Sequence, residues 1–166
     1  VTAAPVDGVE ETTGIPAYVR RVAVANLVVE IGIVVTGGLV RLTGSGLGCP
    51  TWPRCVPGSY TPVVEQAEGY HSLIEFGNRT LTSVVGIAAI ATAVLVFRHA
   101  RQLALLGVAP LLGVIAQALL GGVTVLTDLH PVTVAAHFLL SMILVAASTA
   151  LVVKLSPPVL WPAPPR

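Results

Sequence analysis

The sequence predicts an all-α membrane protein, a bundle of four transmembrane helices. Three observations predict it. Of 166 residues only 10% are charged and 54% are hydrophobic, where a soluble domain carries roughly a quarter charged residues. Four apolar runs each extend over about 20 residues, the length that crosses the hydrocarbon core. None of the runs alternates polar with apolar residues, which favours helices over barrel strands.

Taken in order, residues 1–19 read as a disordered cytoplasmic tail. The first fifteen lack the basic start and apolar stretch of a signal peptide. The membrane domain covers 20–154. Its first span is 22–40, set between Arg20–Arg21 and Arg41. A polar outer loop occupies 41–69. The second span is 70–97. The third is 103–126, with Pro110 placed to kink it near its start. The fourth is 132–153, with Lys154 at its exit. Residues 155–166 are proline-rich and read as a linker or tail. Together with the missing initiator Met, they predict a piece of a longer chain.

Basic residues set the predicted orientation. Arg20, Arg21, Arg98, Arg101 and Lys154 share one side, and on the other Arg41 and Arg54 are offset by Glu65, Glu68 and Asp128. The positive-inside rule then places both termini in the cytoplasm and the 41–69 loop outside the cell membrane. A net charge of +1 without a basic stripe predicts no nucleic-acid partner; the lipid bilayer is the partner that composition implies.

The two halves echo each other. Span one ends GGLVRLTGSG (Gly37–Gly46) and span three ends GGVTVLTDLH (Gly121–His130). Span two opens HSLIEFGN (His71–Asn78) and span four opens HPVTVAAH (His130–His137). The pattern suggests two pseudo-repeated helical hairpins about an axis along the membrane normal. Asn78 and His137 then face each other at one depth, one to two turns below the outer surface. Gly37, Gly38, Gly121 and Gly122 fall at a similar depth. They either let something flat approach the backbone or simply pack helices closely.

Chemistry-bearing residues are few. His71, Glu75 and Arg79 share one face of span two at four-residue intervals. Charge inside lipid costs about 3 kcal/mol per residue even on the lenient insertion scale, so Glu75 is a candidate proton donor or acceptor. Arg79 pairs with it or grips an anionic ligand group. Arg41 does the same from the end of span one, or snorkels. His137, among Ala, Phe and Leu, is a candidate metal or haem ligand. His71 and His130, at the membrane edge, are secondary ligands or interface residues, and His99 reads as a solvated loop residue. Glu30, one turn from Asn26, is either a proton relay or a polar helix contact. Gln117 reads as interhelical glue. Cys49 and Cys55, close together in an outer loop, predict a disulfide that is a brace or a redox-active pair. Two thiolates without a nearby His make half a zinc site, so no other metal is expected.

At these residues the chain resembles a known family. TGGLVRLTGSGLGCPTWPRC (Thr36–Cys55), IEFGNR (Ile74–Arg79) and LLGGVTVLTDLHPVTVAAHF (Leu119–Phe138) are similar to haem A synthases of actinobacterial type. The resemblance implies oxidation of the C8 methyl group of haem O to the formyl group of haem A, for cytochrome oxidase. It implies two four-helix bundles in tandem, one holding the haem O substrate and the other a haem b. On that basis Glu75 is the essential carboxylate, His137 an axial ligand to haem iron, Cys49 and Cys55 the loop pair, and Arg41 or Arg79 a propionate partner. Asn78 stands where many members have a second histidine. Implied partners are a second four-helix bundle, from the missing half or another copy, and haem O synthase or oxidase assembly factors. Two other classes compete: a non-catalytic haem-b or electron-transfer bundle, and a thiol-redox or assembly partner acting through Cys49–Cys55.

Overall fold

In the computed structural model, residues 14–63 and 67–157 are described. Four long helices form the molecule: α1 Ala17–Leu42, α2 Tyr70–His99, α3 Ala104–Leu126 and α4 Pro131–Lys154, with a 3-10 turn at Arg101–Leu103. All four are long and apolar enough to cross a membrane. Each packs on its chain neighbour, and α1 also meets α4, so the bundle closes.

Local chemistry explains the helix ends. Pro16 precedes α1 in an extended conformation. Pro131 opens α4, where its missing N–H is no loss. His130 caps that helix by accepting the Val132 N–H at Nδ1. Arg20 and Arg21 lie within α1; charge stops a span at the lipid boundary but does not stop a helix. The predicted tail over 1–19 is therefore already helical from Ala17. Residues 1–13, Glu65 and residues 158–166 of the proline-rich end lie outside the described residues. Pro110 lies within α3 and is buried.

The outer faces of the helices expose Val28, Val35, Ile87, Ile115, Leu139 and Ile143, the surface a lipid-facing bundle requires. Inside, small residues bring the helices together. A Cβ on Gly107 would meet Val96, and one on Gly113 would meet Leu144. The end of the bundle away from the long loop is filled by Val19, Ala23, Val96, Ala100, Leu151 and Leu155. At that end Tyr18 Oη lies 2.8 Å from His99 Nε2, with the rings edge to face. His99 is exposed but helical and partnered, not the loop residue that was expected.

Candidate functional site

At the opposite end the bundle opens into a cavity of about 640 Å³, within the range of small-molecule sites. The long loop covers it. That loop is held down by an ion pair on α2. Arg79 Nη2 meets Glu75 Oε1 at 2.6 Å, one helical turn apart. Glu75 Oε2 accepts the backbone N–H of Cys49 at 2.7 Å. Arg79 donates to the carbonyls of Cys49, Thr51 and Arg54. The Cys49 peptide is thus gripped on both its N–H and its C=O by one ion pair. These are charge-assisted bonds, the strong class.

Close approach makes the grip possible. A Cβ on Gly48 would collide with the backbone of His71 and Ser72, so only glycine lets the loop lie this near α2. Cys49 and Cys55 form a disulfide, and their residues are 0% and 1% exposed. The predicted disulfide is present, and both sulfurs are shut inside the loop.

Two further loop contacts complete the cover. Trp52 and Pro53 line the cavity, and the Trp52 ring rests on Gly122, where a Cβ would come within 2.6 Å of it. Leu129 also lines the cavity. It is seated by left-handed backbone at Asp128 and Leu129, a conformation that costs a branched residue about 1 kcal/mol or more, and it packs on Gly46. Gly122→Val is expected to displace Trp52, lowering stability by about 1–3 kcal/mol. A thermal melt and the tryptophan emission spectrum check it together.

The walls come from all four helices. Gly37 and Gly38 line the cavity from α1, Asn78 and Glu75 from α2, Gly121 and Gln117 from α3, and His137 from α4. Thr36 Oγ1 donates to Asn78 Oδ1 at 2.7 Å, which leaves the Asn78 NH₂ as its free end. His137 sits against Gly121, whose hydrogen leaves room for the ring: a Cβ there would stand 3.3 Å from His137 Cε1. His137 Nδ1 is buried with no hydrogen-bond partner among the described residues. Gln117 bridges to the His137 carbonyl and to Ser141 Oγ, so it does join helices as expected, and it fixes α4 at the level of the ring.

Other candidate residues lie outside the cavity or are already engaged. Neither His71 nor His130 lines the cavity. His71 Nδ1 pairs with Ser45 Oγ at 2.8 Å in the loop, and His130 is an exposed helix cap, so neither is placed as a secondary ligand. Gly122 supports Trp52 and not a cavity ligand. Arg79 directs all five of its N–H donors at Glu75 and three loop carbonyls. It is the charge partner of Glu75 with no donor left for a propionate. Arg41 lines the cavity, and its side chain makes no hydrogen bond or ion pair among the described residues. Sequence reasoning missed Trp52, Gly48 and Leu129; their partners are 23 to 83 positions away, and only an aromatic between two prolines in PTWP (Pro50–Pro53) hinted at the first.

The fold and site define a class: a membrane four-helix bundle with a loop-covered cavity at one rim, walled by glycines, an imidazole and a carboxylate. The chain belongs to the cytochrome oxidase assembly protein family (COX15-CtaA), whose sequence pattern matches residues 20–165. It is similar to the "Heme A synthase" of Lysinibacillus sphaericus (strain C3-41), 38% identical over 138 residues, covering 78% of this chain and 42% of that protein. It is also similar to the "Heme A synthase" of Bacillus pumilus (strain SAFR-032), 36% identical over 75% of this chain and 40% of that protein. A third, from Alkalihalophilus pseudofirmus, is 29% identical over 81% of this chain and 46% of its own length. The chain thus spans less than half the length of these relatives.

Proposed function

We propose that this chain is the haem-O-binding bundle of a haem A synthase and takes part in oxidising the C8 methyl group of haem O to the formyl group of haem A. One observation carries the reading. Of the four histidines, only His137 lines the cavity, and its Nδ1 is buried and unpaired beside glycine walls. A flat macrocycle needs a ring nitrogen for its iron and backbone it can approach closely. The cavity supplies both, and the similarity to proteins named Heme A synthase points to the same group.

Bound haem supplies the redox chemistry. The chain supplies position and charge. His137 orients the iron. Arg41, the cavity-lining cation whose side chain has no partner among the described residues, takes a propionate. Glu75 holds a negative charge on the cavity wall, fixed in place by Arg79 and the Cys49 amide, where it steers charge or a proton at the reacting edge. Trp52 and Leu129 exclude water from above. The disulfide braces this cover; buried sulfurs argue against the thiol-redox reading.

The share of the relatives that this chain spans supports a second four-helix bundle, from further sequence or another copy, holding haem b. Basic residues at the helix ends support cytoplasmic termini and a loop on the outer face of the cell membrane. The test is expression in cells that make haem O but no haem A, followed by pigment extraction. Haem A is the expected product. Bound haem without conversion favours the non-catalytic bundle, and a colourless protein overturns the proposal.

A further inference from the structure

Below the cavity, four polar side chains from α1, α2 and α4 are buried near one level of the bundle. Glu30 is 5% exposed, and Asn26, Thr92 and Ser148 are each 1% exposed. Asn26 Nδ2 donates to Glu30 Oε1 at 2.8 Å. Glu30 Oε2, Asn26 Oδ1, Thr92 Oγ1 and Ser148 Oγ have no hydrogen-bond partner among the described residues. Ser148 Oγ lies beside the Glu30 carboxyl, just outside hydrogen-bond geometry.

Position shows which way this group opens. Asn26 follows Ala23 by three residues, Thr92 precedes Val96 by four, and Ser148 precedes Leu151 by three. Each is about 5 Å, one helical turn, above the apolar plug. The far side is therefore sealed by hydrocarbon. On the near side Glu30 lines the cavity. The uncharged Val114 and Gln117 face the same space from α3. The titratable groups of the cavity, His137, Glu75, Arg79 and Arg41, stand at its loop end. Arg41 is eleven residues further along α1, about 16 Å away, and the donors of Arg79 are occupied.

Four buried polar atoms without a partner among the described residues would each destabilise the fold if left dry. Buried water, which makes about three hydrogen bonds, removes that cost where polar partners converge. We infer that Glu30 is a proton-exchanging carboxyl at the inner end of the cavity, seated in a water-filled well shared with Asn26, Thr92 and Ser148. In the exchange the O–H bond at Oε2 breaks, the proton passes to the oxygen of bound water, and the electron pair stays on the carboxylate. Asn26 Nδ2 and the Ser148 hydroxyl then donate to that carboxylate, and the reverse transfer restores the acid. The inference goes beyond the haem reading and does not require it, because it concerns the well and not the cavity's occupant.

Infrared difference spectroscopy of the purified chain, titrated in H₂O and in D₂O, tests it. The expected result is a protonated-carboxyl carbonyl band that titrates, shifts in D₂O, disappears in Glu30→Gln and moves in Ser148→Ala. Ser148→Ala keeps the carboxyl, so it reads the well even if Glu30→Gln fails to fold. A wild type with no titrating band, a band that survives Glu30→Gln, or a band unmoved by Ser148→Ala overturns the inference. A carboxyl serving only as a helix contact would give no titrating band.

Discussion

Glu75→Gln is expected to stop conversion of haem O while leaving haem bound, with a loss on the order of 10²–10⁴-fold. The amide keeps the shape of the side chain and an oxygen for the Cys49 N–H; the pairing with Arg79 is lost, but Arg79 still holds the loop through its bonds to the carbonyls of Cys49, Thr51 and Arg54. What is lost is the negative charge on the cavity wall. Glu75→Ala goes further. It removes the acceptor of the Cys49 N–H as well as every contact to the partly buried Arg79, and breaking such a pair costs up to about 3 kcal/mol where one partner keeps contact with solvent. The alanine variant should therefore also melt earlier and expose the disulfide to reductant. Haem A yield, haem content and melting temperature, measured on both variants, separate the two effects. If Glu75→Gln makes haem A at the wild-type rate, the carboxylate is only a loop anchor.

Asn78→His is expected to change the bound haem from one protein imidazole to two. In the wild type His137 is the one histidine at the cavity wall, and Asn78 is a poor iron ligand whose oxygen is already taken by Thr36. A haem iron held by His137 would then have no second protein ligand at this wall and would be expected to bind a small ligand such as carbon monoxide. Gly37 leaves space beside Asn78, since even an added Cβ would stand 3.9 Å from its Nδ2, so an imidazole fits there. The histidine variant should show a low-spin, six-coordinate spectrum and lose carbon monoxide binding. An unchanged spectrum would mean that the iron does not lie between these two walls.

How much of this could be read in the sequence depends on how local each signal is. The four spans were legible because an apolar run of 20 residues has few other uses. Their exact ends were less so: α1 starts at Ala17, before the arginines, because the helix follows Pro16 and not the lipid boundary. Glu75, His137 and Glu30 stood out because charge and imidazole are costly in hydrocarbon. Their partners did not. The grip of Glu75 and Arg79 on the Cys49 peptide joins residues 26 to 30 positions apart. The Trp52–Gly122 contact spans 70 positions, and no periodicity announces it. The internal repeat located Gly37, Gly121, Asn78 and His137 at one cavity, yet it misled at Gly122 and at the paired histidines His71 and His130, where the covering loop breaks the symmetry.

The central claim is that His137 holds a haem in the loop-covered cavity, and absorption spectroscopy of the purified chain loaded with haem O, compared with His137→Ala, tests it most directly. The account predicts a stoichiometric haem with an imidazole-ligated spectrum in the wild type, and loss of that ligation with most of the haem in the variant, partly restored by added imidazole. The same haem content and the same spectrum in both proteins would contradict it.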